Sequence, residues 1–594
     1  MSERDPLLPA NPRDAPAVVE ASDAVVEPEQ QQPARTPSLN RKKIVFWSLA
    51  GAIMLIGAAL IIYFVPYVRA DGPLRYPGEK LDWTVCGNVE GKNVECSRID
   101  VPMNHFDEYA TSNEKFSIPV ARLRGNDNAK NLFVNPGGPG GSGVNFIFRK
   151  GKAIQEIVGQ DFHILSFDPR GVNGSKPQAI CFPDSEVRKA ITSVQIPSDP
   201  VEAASLYNWA GNFAHSCADT TGEHGKYINT PQTAADMNSI LDAIGQENMI
   251  YWGFSYGSIL GQTYANMFPE RSERVAVDGV VDHFNWYNGT IESEDFHDSD
   301  NVLHGFFDEC VKAGDDCPLA EFGNDAKGLE KNVTNFIRKL KDDPYPVYVN
   351  NSLFGTIDYS QLWFGAFFGA LYKPASWYSL ADVTAQLMKG NGTAALLAFG
   401  LEGPEDLLPE HNIIIRSNDG TSGKSFWPTS RKALLKEAIP FIESQSSFAA
   451  NSMEEFIIRA QWEIPHTHTF VPDRHVKTLH PVLVLSTTYD PICPLVSAKV
   501  ARDIFVDSRL IEVETYGHCS LAMPSLCAAR HVHAFFNNGT MPDEDVKCPA
   551  DGPYYINPNK DKSVKTLSGA DAETERLMAA LVALSDAIEV PSRR

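Results

Sequence analysis

The chain has 594 residues and a formal net charge of -23 at neutral pH. Nucleic-acid binding draws its affinity from Lys and Arg neutralising phosphates, so this balance argues against that class of partner. Hydrophobic residues make up 43% and charged residues 21%, enough apolar material for packed cores over most of the length.

Residues 1–43 are rich in Pro, Ala, Glu and Gln and poor in aromatics, the composition of a disordered tail. Near its start, Glu3-Arg4-Asp5-Pro6-Leu7-Leu8 has the form of an acidic dileucine sorting signal, which adaptors would read through Leu7 and Leu8. A chance Leu-Leu in a floppy tail is the alternative. From Ile44 to Val68 there is no charged residue. A membrane-spanning helix needs about 20 apolar residues, and this run is long enough. Trp47 lies near one end and Tyr63 and Tyr67 near the other, as interfacial aromatics do. Arg35, Arg41, Lys42 and Lys43 precede the run, and only Arg69 follows closely. The positive-inside rule then predicts a single-pass anchor with residues 1–43 cytosolic and residues 70–594 lumenal or extracellular. A vacuole, lysosome or other endomembrane would suit the dileucine.

All ten cysteines lie beyond the anchor, as disulfides in an oxidising compartment require. So do six N-x-[ST] sequons, at Asn173, Asn288, Asn332, Asn350, Asn391 and Asn538, of which the last five are the glycosylation candidates.

Residues 70–80 read as a short Pro/Gly linker. Strand and helix patterns then alternate over residues 81–282: "KFSIPVARL", "NLFVN", "FHILSFD", "NMIYWGF" and "RVAVDGVV" as strands, "TAADMNSILDAI" and "YGSILGQTYANMF" as helices. Alternation of this kind predicts a mainly parallel α/β sheet. It breaks over residues 283–475, an aromatic-rich, mainly helical stretch expected to be a cap inserted into the sheet domain. It resumes over residues 476–550 with "PVLVLSTTYD", "LVSAKVARDIF" and "RLIEVETYG". Residues 551–594 form an extension whose helix places Leu577, Leu581, Leu584 and Ile588 on one face.

Gly253-Phe254-Ser255-Tyr256-Gly257 stands between an apolar strand and a helix. A G-x-S-x-G in that setting is a nucleophile elbow, with the serine on a tight strand-to-helix turn. A serine nucleophile needs a base and the base an orienting carboxylate, in the order Ser, acid, His for this fold class. Asp490 closes one later strand and His518 follows the next. Asp282, after "VAVDGVV", is a rival acid one strand earlier. The oxyanion of acyl transfer needs N–H donors. "NPGGPGGSG" after the first apolar strand offers the Gly138 N–H, and the residue after the nucleophile offers the Tyr256 N–H. The expected fold is therefore an α/β-hydrolase with a large helical cap. This chemistry needs no metal or cofactor. The H-x-H pairs in "PHTHTF" and "RHVHAFF" have no third partner at metal-ligand spacing and read as surface or packing histidines.

Gly137-Gly138-Pro139-Gly140 resembles the oxyanion loop of prolyl iminopeptidases, and Asp168-Pro169-Arg170-Gly171 the strand-end turn that follows it there. With "GFSYGS", "TTYDPICPL", "TYGHCSL" and "DWTVCGNVEGKNVECSRIDVP", the pattern resembles the tripeptidyl aminopeptidase branch of that serine peptidase family. The resemblance runs from about Asp82 to Cys548 and is weak in the cap; Pro136 departs from it, since prolyl iminopeptidases have histidine there. It implies release of short peptides or single residues from a substrate's free N-terminus, with acidic cap residues holding the α-amine. Glu292, Glu294 and Asp295 are candidates, with a solvated surface run as the alternative. The same triad on an ester substrate would make a carboxylesterase or lipase, and loss of catalysis would leave a binding module.

Proximity in sequence pairs Cys86 with Cys96, Cys310 with Cys317 and Cys181 with Cys217. Cys527 with Cys548 resembles a pairing expected in the branch. Cys493 and Cys519 remain; they neighbour Asp490 and His518 and are expected to bond, tying the acid and base loops together.

Overall fold

The structure, a computed structural model, describes residues 73–107, 113–191, 204–289, 295–400, 409–467, 469–557 and 571–586. The expected tail, sorting signal and anchor lie outside the described residues. Among those described, no helix is long and apolar enough to cross a membrane.

The ten strands of the main sheet are β1 (Thr84–Val89), β2 (Lys92–Pro102), β3 (Lys115–Leu123), β4 (Lys130–Asn135), β5 (Phe162–Phe167), β6 (Met249–Phe254), β7 (Ser272–Asp278), β10 (Leu483–Tyr489), β11 (Arg509–Tyr516) and β12 (Val546–Pro549). Two more, β8 (Tyr345–Asn350) and β9 (Leu353–Ile357), form a separate hairpin. The main sheet runs β1-β2-β3-β5-β4-β6-β7-β10-β11-β12. From β5 to β12 every pairing is parallel, and β1, β2 and β3 make an antiparallel edge. Glu90 and Gly91 connect β1 to β2 with φ of 47° and 86°. Positive φ at both positions is what a two-residue turn between twisted strands demands.

The central strands are parallel because both of their faces are covered. β5 and β6 are buried at every position, and alternate residues feed two cores. Tyr251, Val275, Val277 and Val484 pack on one side with Ile240, Ile259 and Leu260 of the helices Thr230–Ala243 and Tyr256–Met267. Ile250, Trp252, Ala276 and Leu483 pack on the other with Ile147, Ile154, Val532 and Phe535 of the helices Gly143–Val158 and Leu526–Asn538. The tail helix Ala572–Asp586 belongs to this second core through Leu581 and Leu584, with Leu577 partly buried against it. Ile588 lies outside the described residues.

Between β7 and β10 the chain leaves the sheet and builds the cap. Helices include His283–Asn288, Ser299–Ala313, Ala326–Lys339, Trp377–Met388, Glu410–Asp419 and Met453–Ala460. Aromatic packing holds them, with Trp363 stacked on Phe448 at 4.5 Å between centroids. The β8–β9 hairpin is the part of the cap that a mainly helical reading does not anticipate. The cap springs from the C-terminal end of β7, so it covers the edge of the sheet where open α/β folds place their ligands.

Candidate active site

Ser255 sits between β6 and the helix Tyr256–Met267 with φ 57° and ψ -125°. That backbone conformation is strained for a side chain other than glycine. The flanking glycines are steric necessities: a Cβ at Gly253 would stand 2.2 Å from the Gly257 carbonyl oxygen, and one at Gly257 would stand 2.7 Å from that of Asn135. Ser255 is partly exposed while the residues on both sides of it are buried.

Asp490 follows β10 and is fully buried. Its carboxylate lies 2.9 Å from His518 Nδ1 through either oxygen. Three backbone amides hold it in place. Oδ1 accepts from Ile492 at 3.0 Å and Cys493 at 2.8 Å, and Oδ2 accepts from Cys519 at 2.9 Å. These bonds orient the acid toward the ring. The cap grips the histidine as well, since the His518 amide donates to the Tyr372 carbonyl at 2.9 Å and the two rings meet edge to face at 5.0 Å. Among the described residues no hydrogen bond joins the Ser255 hydroxyl to the His518 ring.

What ties the serine turn to the histidine loop is a residue the sequence reading passed over. Asp278, the last residue of β7, accepts the Ser255 amide on its backbone carbonyl at 2.9 Å. Its carboxylate accepts the amide and the hydroxyl of Ser520 at 2.7 and 2.6 Å. Burial raises its pKa to about 6, against the pull of the Ser520 hydrogen bonds. The signal was present: an acid closing the apolar run Val275-Ala276-Val277. Asp282, the rival acid, is used elsewhere; it caps the helix His283–Asn288 by accepting from Phe284 and Asn285.

In the glycine loop after β4, Gly137 donates to Asn135 Oδ1 at 3.0 Å, and Gly141 donates to the Gly137 carbonyl at 3.0 Å. A Cβ on Gly137 would stand 2.8 Å from that of Ser255 and 3.1 Å from the Tyr256 nitrogen, so the loop lies directly on the elbow. Gly137 is thus occupied, while among the described residues neither the Gly138 nor the Tyr256 N–H has a protein acceptor. Asp168 braces the far end of this loop, taking the Ser142 hydroxyl and Val144 amide on one oxygen and Asn173 and Gly174 on the other. Asn173 is exposed, and its side-chain amide is spent on Ser142 and Asp168. Asn288, Asn332, Asn350, Asn391 and Asn538 are exposed.

Glu292 and Glu294 lie outside the described residues. Asp295 is 3.8 Å from Arg416 Nη2, and Arg416 Nε is 2.5 Å from Glu455. Asp295 is close enough to the acid loop to help burial and Asp490 raise the Cys493 thiol well above its usual range.

Four disulfides are formed: Cys86–Cys96, Cys181–Cys217, Cys310–Cys317 and Cys527–Cys548. The expected Cys493–Cys519 bond is not; both are buried free thiols. The Asp490 carboxylate stands between their amides, and Cys519, at φ 66°, turns its sulfur toward the Asp278 carbonyl 3.7 Å away. Hydrogen bonds to one shared carboxylate tie the two loops where a covalent bond was expected. Of the H-x-H pairs, His466 bonds Ser422 and the Asn418 carbonyl, His533 bonds the Ile157 carbonyl, and His468 is outside the described residues. His531 stands beside the sulfurs of Cys527 and Cys548, which are spent on each other.

The fold and this site define an α/β hydrolase, and the comparisons with known proteins agree. Residues 130–305 match the family model described as "alpha/beta hydrolase fold", and residues 446–548 match that of "TAP-like protein". Serine protease Hip1 of Mycobacterium tuberculosis is 25% identical over 547 residues, 85% of this chain and 98% of that protein. Tripeptidyl aminopeptidase of Streptomyces lividans is 25% identical over 490 residues, 79% of this chain and 86% of that protein. Carboxylesterase B of M. tuberculosis is 24% identical over 485 residues, 78% and 88%. The chain is a serine hydrolase, and it is similar to the α/β-hydrolase serine peptidases of the tripeptidyl aminopeptidase-like branch.

Proposed function

We propose that this chain is a membrane-anchored serine exopeptidase that cleaves peptides near a free N-terminus. The observation that carries the reading is the His518–Asp490 contact at 2.9 Å beside a serine on a strained elbow. Ser255 Oγ attacks the scissile carbonyl while His518 takes its proton. Asp490 fixes the tautomer that leaves Nε2 free to do so and stabilises the charged ring. The Gly138 and Tyr256 N–H groups receive the developing oxyanion. His518 then protonates the leaving amine, the C–N bond breaks, and an acyl-enzyme remains on Ser255. Water, deprotonated by His518, releases the acid and restores the serine. Asp295 is proposed to pair with the substrate amine, supported by its place beside the acid loop.

Two measurements test this. A fluorophosphonate should label the protein and fail to label Ser255→Ala. Peptides with free N-termini should be cleaved and their N-acetylated forms resisted; equal rates on both would remove the exopeptidase reading. The similarity to Carboxylesterase B supports a second reading, ester hydrolysis by the same triad, which equal rates would favour.

The proposed location rests on the sequence: residues 44–68 as the anchor, residues 1–43 cytosolic, the hydrolase lumenal or extracellular, and Leu7 and Leu8 as a vacuolar or lysosomal sorting signal. Carbonate-resistant sedimentation, a mass shift on deglycosylation and rerouting of a Leu7→Ala, Leu8→Ala variant are the expected results. Release of the protein into the soluble fraction by carbonate would overturn the anchor.

A further inference from the structure

The loop that presents Gly138 is tied at its ends, by Gly137 and Gly141 and by Asp168, but its middle is built largely of glycine. Gly137, Gly138 and Gly140 adopt φ of 98°, 114° and 100°, a region glycine enters freely and leaves as freely. Something outside the loop must hold it, because an oxyanion donor is effective only within about 2.7–3.1 Å of the charge it receives.

The cap helix Glu410–Asp419 does so, and from its other end it reaches the second donor. At the N-terminal end, Asn412 Nδ2 donates to the Pro139 carbonyl at 3.1 Å. The neighbouring His411 ring lies on Gly140, leaving no room for a side chain: a Cβ there would stand 1.7 Å from the ring. Burial lowers the His411 pKa to about 4, so the ring packs as a neutral group. At the C-terminal end, Asp419 accepts the amide and hydroxyl of Thr230 at 2.7 and 2.5 Å and the Trp286 indole at 2.9 Å. The Thr230 hydroxyl is 2.6 Å from that of Tyr256. Burial raises the Asp419 pKa to about 6, so at neutral pH it is an ionised acceptor: Thr230 donates to Asp419 and Tyr256 donates to Thr230. The Tyr256 ring also packs on Trp286 at 5.6 Å. One helix therefore grips the Gly138 loop at one end and, through Thr230, holds the Tyr256 side chain at the other.

We propose that this helix sets the spacing of the oxyanion site, with Asn412 and Asp419 as its positioning residues. The inference rests on reading Ser255 as the nucleophile. Neither residue touches the reacting atoms. Each acts by fixing a backbone N–H that does, which makes the cap part of the catalytic apparatus as well as a cover over it. The signature is selective. Loss of either contact weakens binding of the tetrahedral state and leaves ground-state binding alone.

The test compares the full chain with Asn412→Ala, Asn412→Asp and Asp419→Asn. Measurements are kcat, KM, affinity for a peptide aldehyde that forms a tetrahedral adduct on the serine, affinity for the product peptide, and Tm. Asn412→Asp removes the donor at nearly constant volume and serves if the alanine variant does not fold. The expected result is a fall in kcat of about 10–100-fold and an equal loss of aldehyde affinity. KM and product affinity should stay within about threefold. Unchanged kcat and aldehyde affinity would overturn the inference. So would a parallel loss in KM and product affinity at constant kcat, which would make the helix a substrate-binding element. A kcat loss that vanishes when assayed well below Tm would reduce the contacts to fold stability and also overturn it. If the wild type cleaves an activated ester but no free-amine peptide, the comparisons run on the ester with a boronic acid in place of the aldehyde. The positioning role is then decided even though the peptidase reading has failed.

Discussion

Asp278 holds Ser520 with both carboxylate oxygens, 2.7 Å from its amide and 2.6 Å from its hydroxyl. The same residue takes the Ser255 amide on its carbonyl, so the nucleophile turn and the loop carrying His518 are fixed to one point at the end of β7. Burial raises its pKa from 3.8 to about 6. Between those values the native state keeps a proton that the unfolded chain has lost. Its contribution to stability therefore falls as pH rises, by about 1.4 kcal/mol per pH unit, and levels off above about pH 6. Asp278→Asn removes this dependence. Relative to wild type, the variant should gain stability from pH 4 to pH 6 in urea melts and change no further above; a pH-independent difference would contradict the assignment.

His283 titrates with the opposite sign. The ring is fully buried among Phe284, Tyr287 and Phe470, and burial lowers its pKa from 6.5 to about 3. Its stabilisation is complete above pH 6.5 and is lost as pH falls, again by about 1.4 kcal/mol per unit. His283→Phe should flatten the acid limb of the stability curve over that window. Melts of the two proteins at matched pH check it, and parallel curves would count against a buried neutral ring.

Asp490→Asn keeps the shape of the acid and removes its charge. The imidazole then loses the partner that selects its tautomer, and kcat is expected to fall by about 10⁴-fold with a small change in KM. Steady-state kinetics on the best peptide from a free-amine library provides the number. A loss under about tenfold would point to another acid.

Asp295→Asn addresses the amine. The variant should raise KM for free-amine peptides and leave turnover of an activated ester unchanged within about twofold. Equal effects on both substrates would mean that its ion pair with Arg416 matters to the cap and not to the substrate.

Thiol counting separates the cysteines. Denatured, unreduced protein should yield two free thiols, alkylated at Cys493 and Cys519. Serine at both positions should leave the protein folded, whereas replacing Cys527 and Cys548 should cost about 2–5 kcal/mol. A cross-linked Cys493–Cys519 peptide in the digest would reverse the assignment.

Much of the fold was legible in sequence because its signals are local. The strand "FHILSF" is mostly apolar and buried at every position since both faces are covered, and the strand–helix alternation fixes a parallel sheet. Gly253, Ser255 and Gly257 declare the elbow because steric limits on a tight turn are written in three residues. Asp490 and His518 were found by order along the chain. The disulfides were partly legible: four pairs follow from proximity or resemblance, while the fifth failed because orientation decides a bond and sequence reports only neighbourhood.

The residues that escaped sequence reading act across long separations. Asp278 meets Ser520, Asn412 meets Pro139, and Asp419 meets Thr230 and, through it, Tyr256. No spacing rule links them, since an Asn or Asp in a cap helix has the same local signature whether it faces water or a catalytic loop. The sequence by itself determined the strand–helix alternation of the sheet domain, the elbow and the chemical character of the site, because these depend on steric and apolar patterns a few residues long. Only the tertiary structure decided what holds the oxyanion loop, which acid ties the elbow to the base loop, and that two thiols remain apart. Those outcomes depend on directions and distances between side chains that the chain brings together only by folding.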